Sequence, residues 1–162
     1  MADNETAGLT AKILTASDGV IAGTRQDGSG DALVELLTGE GYDIADRRAV
    51  EDGVESVRDA LLEMSDGFAG LIVTTGGTGF GPRDLTPEGT AEVLERRADG
   101  LAEASRLVSP FGRLSRAIAG TRGTALIVNL PGSPKGSVEC LEAVLDVIPH
   151  ALRLLADQPT EH

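Results

Sequence analysis

An apolar run, Gly70-Leu71-Ile72-Val73, passes directly into Thr74-Thr75-Gly76-Gly77-Thr78-Gly79-Phe80-Gly81-Pro82-Arg83-Asp84. The run reads as a strand buried on both faces. Beyond the loop, Thr86-Pro87-Glu88 reads as a helix start, with Thr86 as N-cap and Pro87 at the first helical position. A strand therefore runs into a glycine loop, and the loop into a helix. Gly76, Gly77, Gly79 and Gly81 remove the Cβ atoms that would hold a ligand off the backbone. They also allow the positive φ angles that gather N–H groups into one concavity. Thr74, Thr75 and Thr78 add hydroxyls. An anion, above all a phosphate, suits such a loop. A plain surface turn needs one glycine pair, whereas this loop has four glycines between a buried strand and a capped helix. It is not a Walker A loop, because no Gly-Lys-Ser/Thr follows, and it does not match Gly-x-Gly-x-x-Gly.

The rest of the chain repeats the alternation. Ala11 to Ala16 reads as a first strand ending in Ser17-Asp18-Gly19, and Ile21 to Gly30 as a loop. Ser29 or Asp31 can cap a helix carrying Leu33, Leu36 and Leu37, which Gly39 or Gly41 ends. Tyr42 to Val50 is a second strand, with an exposed Arg47-Arg48 pair, leading into Glu51-Asp52-Gly53. Val54, Val57, Leu61 and Met64 recur at helical spacing before the strand that feeds the glycine loop. A helix is expected from Thr86 to about Ala98, another from Leu101 to Val108, and Leu114 to Gly120 also reads as helix. Thr124 to Leu130 is an apolar strand ending in Pro131-Gly132-Ser133-Pro134-Lys135. A final helix carries Val138, Leu141, Leu145, Ile148, Leu152 and Leu155, and Pro149 should kink or split it. The expected architecture is α/β: three layers around a mostly parallel sheet with right-handed crossovers. Residues 1–10 read as a loose tail and residues 11–162 as one domain.

In such a sheet, ligands collect at the carboxyl ends of the strands. The four ends here are Ser17-Asp18, Glu51-Asp52, Thr75-Gly76-Gly77 and Pro131-Gly132-Ser133, all small or acidic. The net charge of -12 argues against nucleic acid, whose binding rests on Lys and Arg. It also opposes any anionic substrate at long range, so a phosphate must be held by local groups or a divalent cation. Aromatics make up only 2% of the chain, so the core must be aliphatic. The single cysteine, Cys140, excludes an intrachain disulfide and reads as a packed residue. The acidic start does not resemble a signal peptide, and no apolar run approaches the ~20 residues of a membrane span. A cytoplasmic protein is expected, with no membrane partner.

Asp52 is either a helix-start carboxylate or a functional group. For Asp84 the functional reading is stronger, because Thr86 already supplies a cap. A carboxylate beside a phosphate loop makes sense as a Mg²⁺ ligand. Ser17 and Asp18 receive a phosphate or ribose, or close a turn. Ser133 and Lys135 are placed to reach an anion, and Ser115-Arg116 is either an anion contact or helix surface. Asn129 ends a buried strand, so its amide needs a partner from protein or ligand. His150 and His162 form no metal pattern, and no Gly-x-Ser-x-Gly elbow is present.

Taken in order, Thr74 to Gly79, Arg83-Asp84-Leu85-Thr86-Pro87, Leu114-Ser115-Arg116 and Asn129 to Lys135 resemble the MoaB/Mog family of molybdenum-cofactor proteins, over about Lys12 to Ala156. The Pro-Gly-Ser-Pro-Lys segment is similar to its MoaB branch. The resemblance implies a trimer or a pair of trimers. It also implies an activity: molybdopterin and ATP give adenylylated molybdopterin and pyrophosphate, with Mg²⁺. Two aspartates important for turnover fall on Asp52 and Asp84, the metal ligands expected here. The family's Ser-Asp after the first strand falls on Ser17 and Asp18, its glycine loop on Gly76 to Gly79, and its Pro-Gly loop on Pro131 to Pro134. The attacking phosphate is already anionic and needs no general base, only relief from repulsion. The alternatives are a non-catalytic molybdopterin-binding scaffold and a nucleotide-binding regulator.

Overall fold

The structure, a computed structural model, describes residues 8–160. Most of the expected tail, residues 1–7, and His162 lie outside the described residues. Leu9, placed in that tail by sequence, packs against the core, and its carbonyl accepts from Asp43 N at 3.0 Å.

Six strands form one sheet: β1 (Thr10–Ala16), β2 (Asp43–Val50), β3 (Gly70–Thr75), β4 (Arg96–Arg97), β5 (Ala119–Arg122) and β6 (Ala125–Leu130). Their order is β2-β1-β3-β6-β5-β4. The pairs β1–β2, β1–β3 and β3–β6 are parallel; β5 and β4 add an antiparallel edge. Around the sheet lie α1 (Asp18–Ile21), α2 (Gly28–Gly39), α3 (Val54–Ser65), α4 (Thr86–Ala91), α5 (Asp99–Arg106), α6 (Pro134–Glu142) and α7 (Ile148–Leu155), with a 3-10 turn at Pro110–Leu114.

Alternate strand residues point to opposite faces and build two cores. Ile13, Leu71, Val73, Val128 and Leu130 face one layer with Leu33 and Leu37 of α2, Leu141 of α6, and Ile148 and Leu152 of α7. Leu14, Ile72 and Ile127 face the other with Val57, Leu61 and Met64 of α3. The chain leaves β1 by way of α2 on one face and returns to β3 by way of α3 on the other. A crevice therefore opens at the carboxyl ends of β1 and β3, where the winding reverses.

Several local expectations are corrected. The helix expected to reach Ala98 stops at Ala91. Gly89 is jammed against α3, since a Cβ there would lie 2.7 Å from Val54 O, and the chain then turns to pair with β5. Glu95 N and Ala98 N donate to Thr121 O and Ala119 O, both at 2.8 Å, so sheet pairing overrides the helix propensity of Arg96-Arg97. The segment Leu114 to Gly120 is not helical: it leaves the 3-10 turn and enters β5. A two-residue loop, Gly123-Thr124, joins β5 to β6, with Gly123 at φ +55°.

The cap of α2 is Asp27, whose carboxylate accepts from Gly30 N at 3.1 Å, rather than Ser29 or Asp31. Ser29 is drawn inward to Thr75, and Asp31 pairs with Arg47. Arg47 is exposed as expected and Arg48 is half-buried, and both are held in ion pairs. Thr86 is not an N-cap side chain. Its N–H donates to Gly77 O at 3.0 Å, which draws it into the first turn of α4, and Leu85 takes the cap position. The last helix is split, as Pro149 suggested. The break spans residues 143–147, ahead of Pro149, which stands in the first turn of α7 without an N–H to continue the ladder.

Candidate active site

A cavity of about 520 Å³ opens at this crevice. Its lining brings together Ser17 after β1, Asp52 after β2, Thr75 to Gly79 and Asp84 after β3, and Pro131 to Ser133 after β6, with Ser115 from the far side. Asp18, Arg116, Asn129 and Lys135 do not line it.

Two glycines of the loop are required by geometry. Gly76 has φ +93°, and a Cβ on it would lie 2.3 Å from Ala16 O. Gly77 has φ +68°, and its Cβ would lie 2.2 Å from Thr86 Oγ1 and 3.3 Å from Asp52 Oδ1. Gly79 and Gly81 make room for a carboxylate, because a Cβ at either would stand within 3.0 Å of Asp84 Oδ2. Gly81 N donates to that oxygen at 2.9 Å. Thr75 donates to Pro131 O at 2.8 Å and so ties the loop to the segment after β6.

Arg116 is the buckle of this loop. Its backbone N–H donates to Thr78 O at 2.9 Å and its Nε to Gly79 O at 2.8 Å. Its two terminal nitrogens reach Asp84 O and the Glu88 carboxylate. The guanidinium is thus directed at protein groups.

Asp18 and Asp52 clasp each other. Asp18 N donates to Asp52 Oδ2 at 3.0 Å, and Asp52 N to Asp18 Oδ1 at 3.1 Å. Arg83 closes the clasp, with Nε 2.5 Å from Asp18 Oδ2 and Nη2 2.8 Å from Asp52 O. The Arg83 guanidinium holds the Asp18 carboxyl below its ordinary value. Burial pushes Asp52 the other way, and the nearby Asp18 and Asp84 carboxylates add to that. The Asp18 carboxylate is half-exposed and engaged by Arg83 and Asp52 N, while Asp52 lines the cavity.

The remaining expected residues hold local structure. Asn129 is 2% exposed; it donates to Thr74 and Thr90 hydroxyls at 2.9 and 3.0 Å and accepts from Ile118 N at 3.2 Å. Its partners are thus protein groups. Ser17, Ser115 and Ser133 accept from Val20 N, Ala117 N and Gly136 N. Lys135 is exposed beside a second, more apolar cavity of about 370 Å³ that shares Ser115, Pro131 and Ser133 with the first. Cys140 lines that second cavity. Its thiol donates to Ser105 O at 3.4 Å, and burial raises its pKa.

Sequence reasoning missed Arg25, Asp27 and Ser29, which enter the cavity from the loop ahead of α2 and from its first turn. Asp27-Gly28-Ser29 carried the signal for the Asp, since an aspartate before small residues is a helix start. It missed Thr86 too, whose buried hydroxyl has no hydrogen-bond partner and lies against Gly77 beside Asp52. That hydroxyl had no signal, because it depends on the fold.

Among the described residues, no group of three or more His, Cys, Asp or Glu side chains is placed to hold a metal. Asp52 and Asp84 line the cavity beside the loop. That donor set fits Mg²⁺, which uses one or two carboxylates and completes its shell with water and substrate phosphates. It does not fit a structural zinc site.

Residues 12–150 match the protein family described as "Probable molybdopterin binding domain". The chain belongs to this family. It is 39% identical over 155 residues to a molybdopterin adenylyltransferase of Helicobacter pylori, spanning 88% of this chain and 85% of that protein. It is 37% identical to the enzyme of that name from Escherichia coli, spanning 85% of this chain and 74% of the other. The fold is similar to the crystal structure of the molybdopterin biosynthesis enzyme MoaB from Thermus thermophilus, with TM-score 0.86 and 46% identity over 94% of this chain and 99% of that one. The cavity of this family member is the place to look for its chemistry. Among the described residues, no helix is long and apolar enough to cross a membrane.

Proposed function

We propose that this protein is a molybdopterin adenylyltransferase, transferring AMP from ATP to the terminal phosphate of molybdopterin and releasing pyrophosphate. The observation that supports this most is the meeting of Asp52, Asp84 and the glycine loop at one cavity. The names of relatives near 40% identity support it as well.

A phosphate oxygen of molybdopterin forms a bond to the α-phosphorus of ATP, and the bond from that phosphorus to the β-phosphate oxygen breaks. The attacking oxygen is already deprotonated, so neither aspartate acts as a base. Asp52 and Asp84 would hold Mg²⁺, which would supply positive charge to offset the negative charge of the substrate phosphates. The loop's N–H groups stabilise the charge that develops. Arg116 and the Asp18–Asp52–Arg83 clasp keep these groups rigid, so little reorganisation accompanies the reaction. Ser17, Thr78 and Ser133 are the remaining contacts in this reading. The working form is a cytoplasmic homotrimer or pair of trimers, for which the exposed apolar side chains Phe80, Leu107 and Phe111 offer contact surface.

The test is incubation of the pure protein with molybdopterin, ATP and MgCl₂. Pyrophosphate is expected, with release falling by about 100-fold or more in Asp84→Asn. Tight pterin binding with no pyrophosphate from wild-type protein would identify a scaffold instead.

A further inference from the structure

We propose that Arg25 is the side chain that grips a substrate phosphoryl group in this cavity. The inference rests on the adenylyl-transfer reading and adds to it a binding residue that neither motif nor composition pointed to.

The cavity has an unbalanced charge. Asp27, Asp52 and Asp84 all line it, in a protein of net charge -12. Its substrates are polyanions. Backbone N–H groups and a divalent cation offset part of that repulsion, but a phosphate far from the two aspartates needs a positive side chain of its own. Among the described residues, Arg25 is the only Lys or Arg on the lining. The other arginines of the rim are engaged: Arg47 with Asp27 and Asp31, Arg83 with Asp18, Arg116 with Glu88. Among the described residues, Arg25 has no ion-pair partner.

Arg25 is also held where it can act. Its N–H donates to Gly19 O at 3.1 Å, and Thr24 N donates to the same carbonyl at 3.0 Å, so the loop after α1 is closed at its base. The aliphatic stem lies on Gly19: a Cβ there would be 3.1 Å from Arg25 Cβ and 3.6 Å from Arg25 Cδ. Gly19 thus clears the track along which the arginine reaches the cavity mouth. An anchored stem loses less freedom on binding than a free one, which suits a phosphate grip.

The experiment measures calorimetric affinity for Mg·ATP, pyrophosphate, AMP and molybdopterin in wild type, Arg25→Met and Arg25→Lys. Charge-assisted contacts of this kind predict a loss of about tenfold or more in Arg25→Met, partial recovery in Arg25→Lys, and an unchanged melting temperature without ligand. Loss for Mg·ATP and pyrophosphate but not AMP assigns the contact to the β- or γ-phosphate. Loss for molybdopterin alone assigns it to the pterin phosphate. Arg25→Met that binds all four as wild type does overturns the proposal while leaving the adenylyltransferase reading intact. Wild-type protein that binds none of them overturns both.

Discussion

Gly76 and Gly81 sit five residues apart in one loop and answer to different forces. Gly76 carries a positive φ, and its missing Cβ would collide with the Ala16 carbonyl at 2.3 Å. Gly76→Ala is therefore a folding defect, expected to lose about 2–4 kcal/mol in a urea melt. Gly81 has no positive φ and makes room only for the Asp84 carboxylate, 2.8 Å from its would-be Cβ. Gly81→Ala should melt within about 1 kcal/mol of wild type yet slow pyrophosphate release, because Asp84 must turn. The aspartates of the rim have opposite pH signatures. Asp52 has a raised pKa in the folded chain, so its ionisation costs stability as pH rises through that value. Asp52→Asn should thus be inactive but more heat-stable than wild type at pH 7, with the gap closing below about pH 4. Asp18 is lowered by Arg83, so its contribution is present at neutral pH and lost on acidification.

At the scale of elements, Asn129 at the end of β6 joins three others. Its amide reaches Thr74 on β3, Thr90 on α4 and the N–H of Ile118 just ahead of β5. Asn129→Leu keeps the volume and leaves the Thr74 hydroxyl and the Ile118 N–H without this partner in a dry core, while Thr90 keeps its bond to Thr86 O. A loss of about 3–5 kcal/mol is expected by chemical denaturation. Spoiled turnover without such a loss would instead place the amide on a ligand. The antiparallel edge of β5 and β4 fixes where the 3-10 turn and Ser115 meet the cavity, and Arg116 converts that edge into a brace for the glycine loop.

The whole molecule carries a net charge of -12 and is proposed to bind two anions. Long-range repulsion slows their approach at low ionic strength, where the Debye length is about 30 Å, and is screened near 0.15 M, where it is about 8 Å. The apparent KM for Mg·ATP should therefore fall as NaCl is raised from about 10 to 150 mM. A steep rise over that range would mean that local cations dominate the approach.

Local chemistry made much of this legible. Apolar runs, helical spacing and glycine turns act over a few residues, so they reveal the strand–loop–helix unit and the parallel α/β plan without any knowledge of packing. The same short-range signals placed Asp52 and Asp84 after strands, where an α/β sheet gathers its ligands. Where a side chain's partner lies far along the chain, those signals are silent. Asp18 meets Arg83 across 65 positions, and Arg116 meets Gly79 across 37. Nothing near Arg96-Arg97 announces that β5 waits to pair with it, and nothing near Arg25 announces that every other arginine of the rim is already engaged. Residue types and local geometry decide which groups stand ready at the carboxyl edge. Only packing of the whole chain decides which of them remain free to meet a substrate, because burial and charge pairing are settled between distant segments.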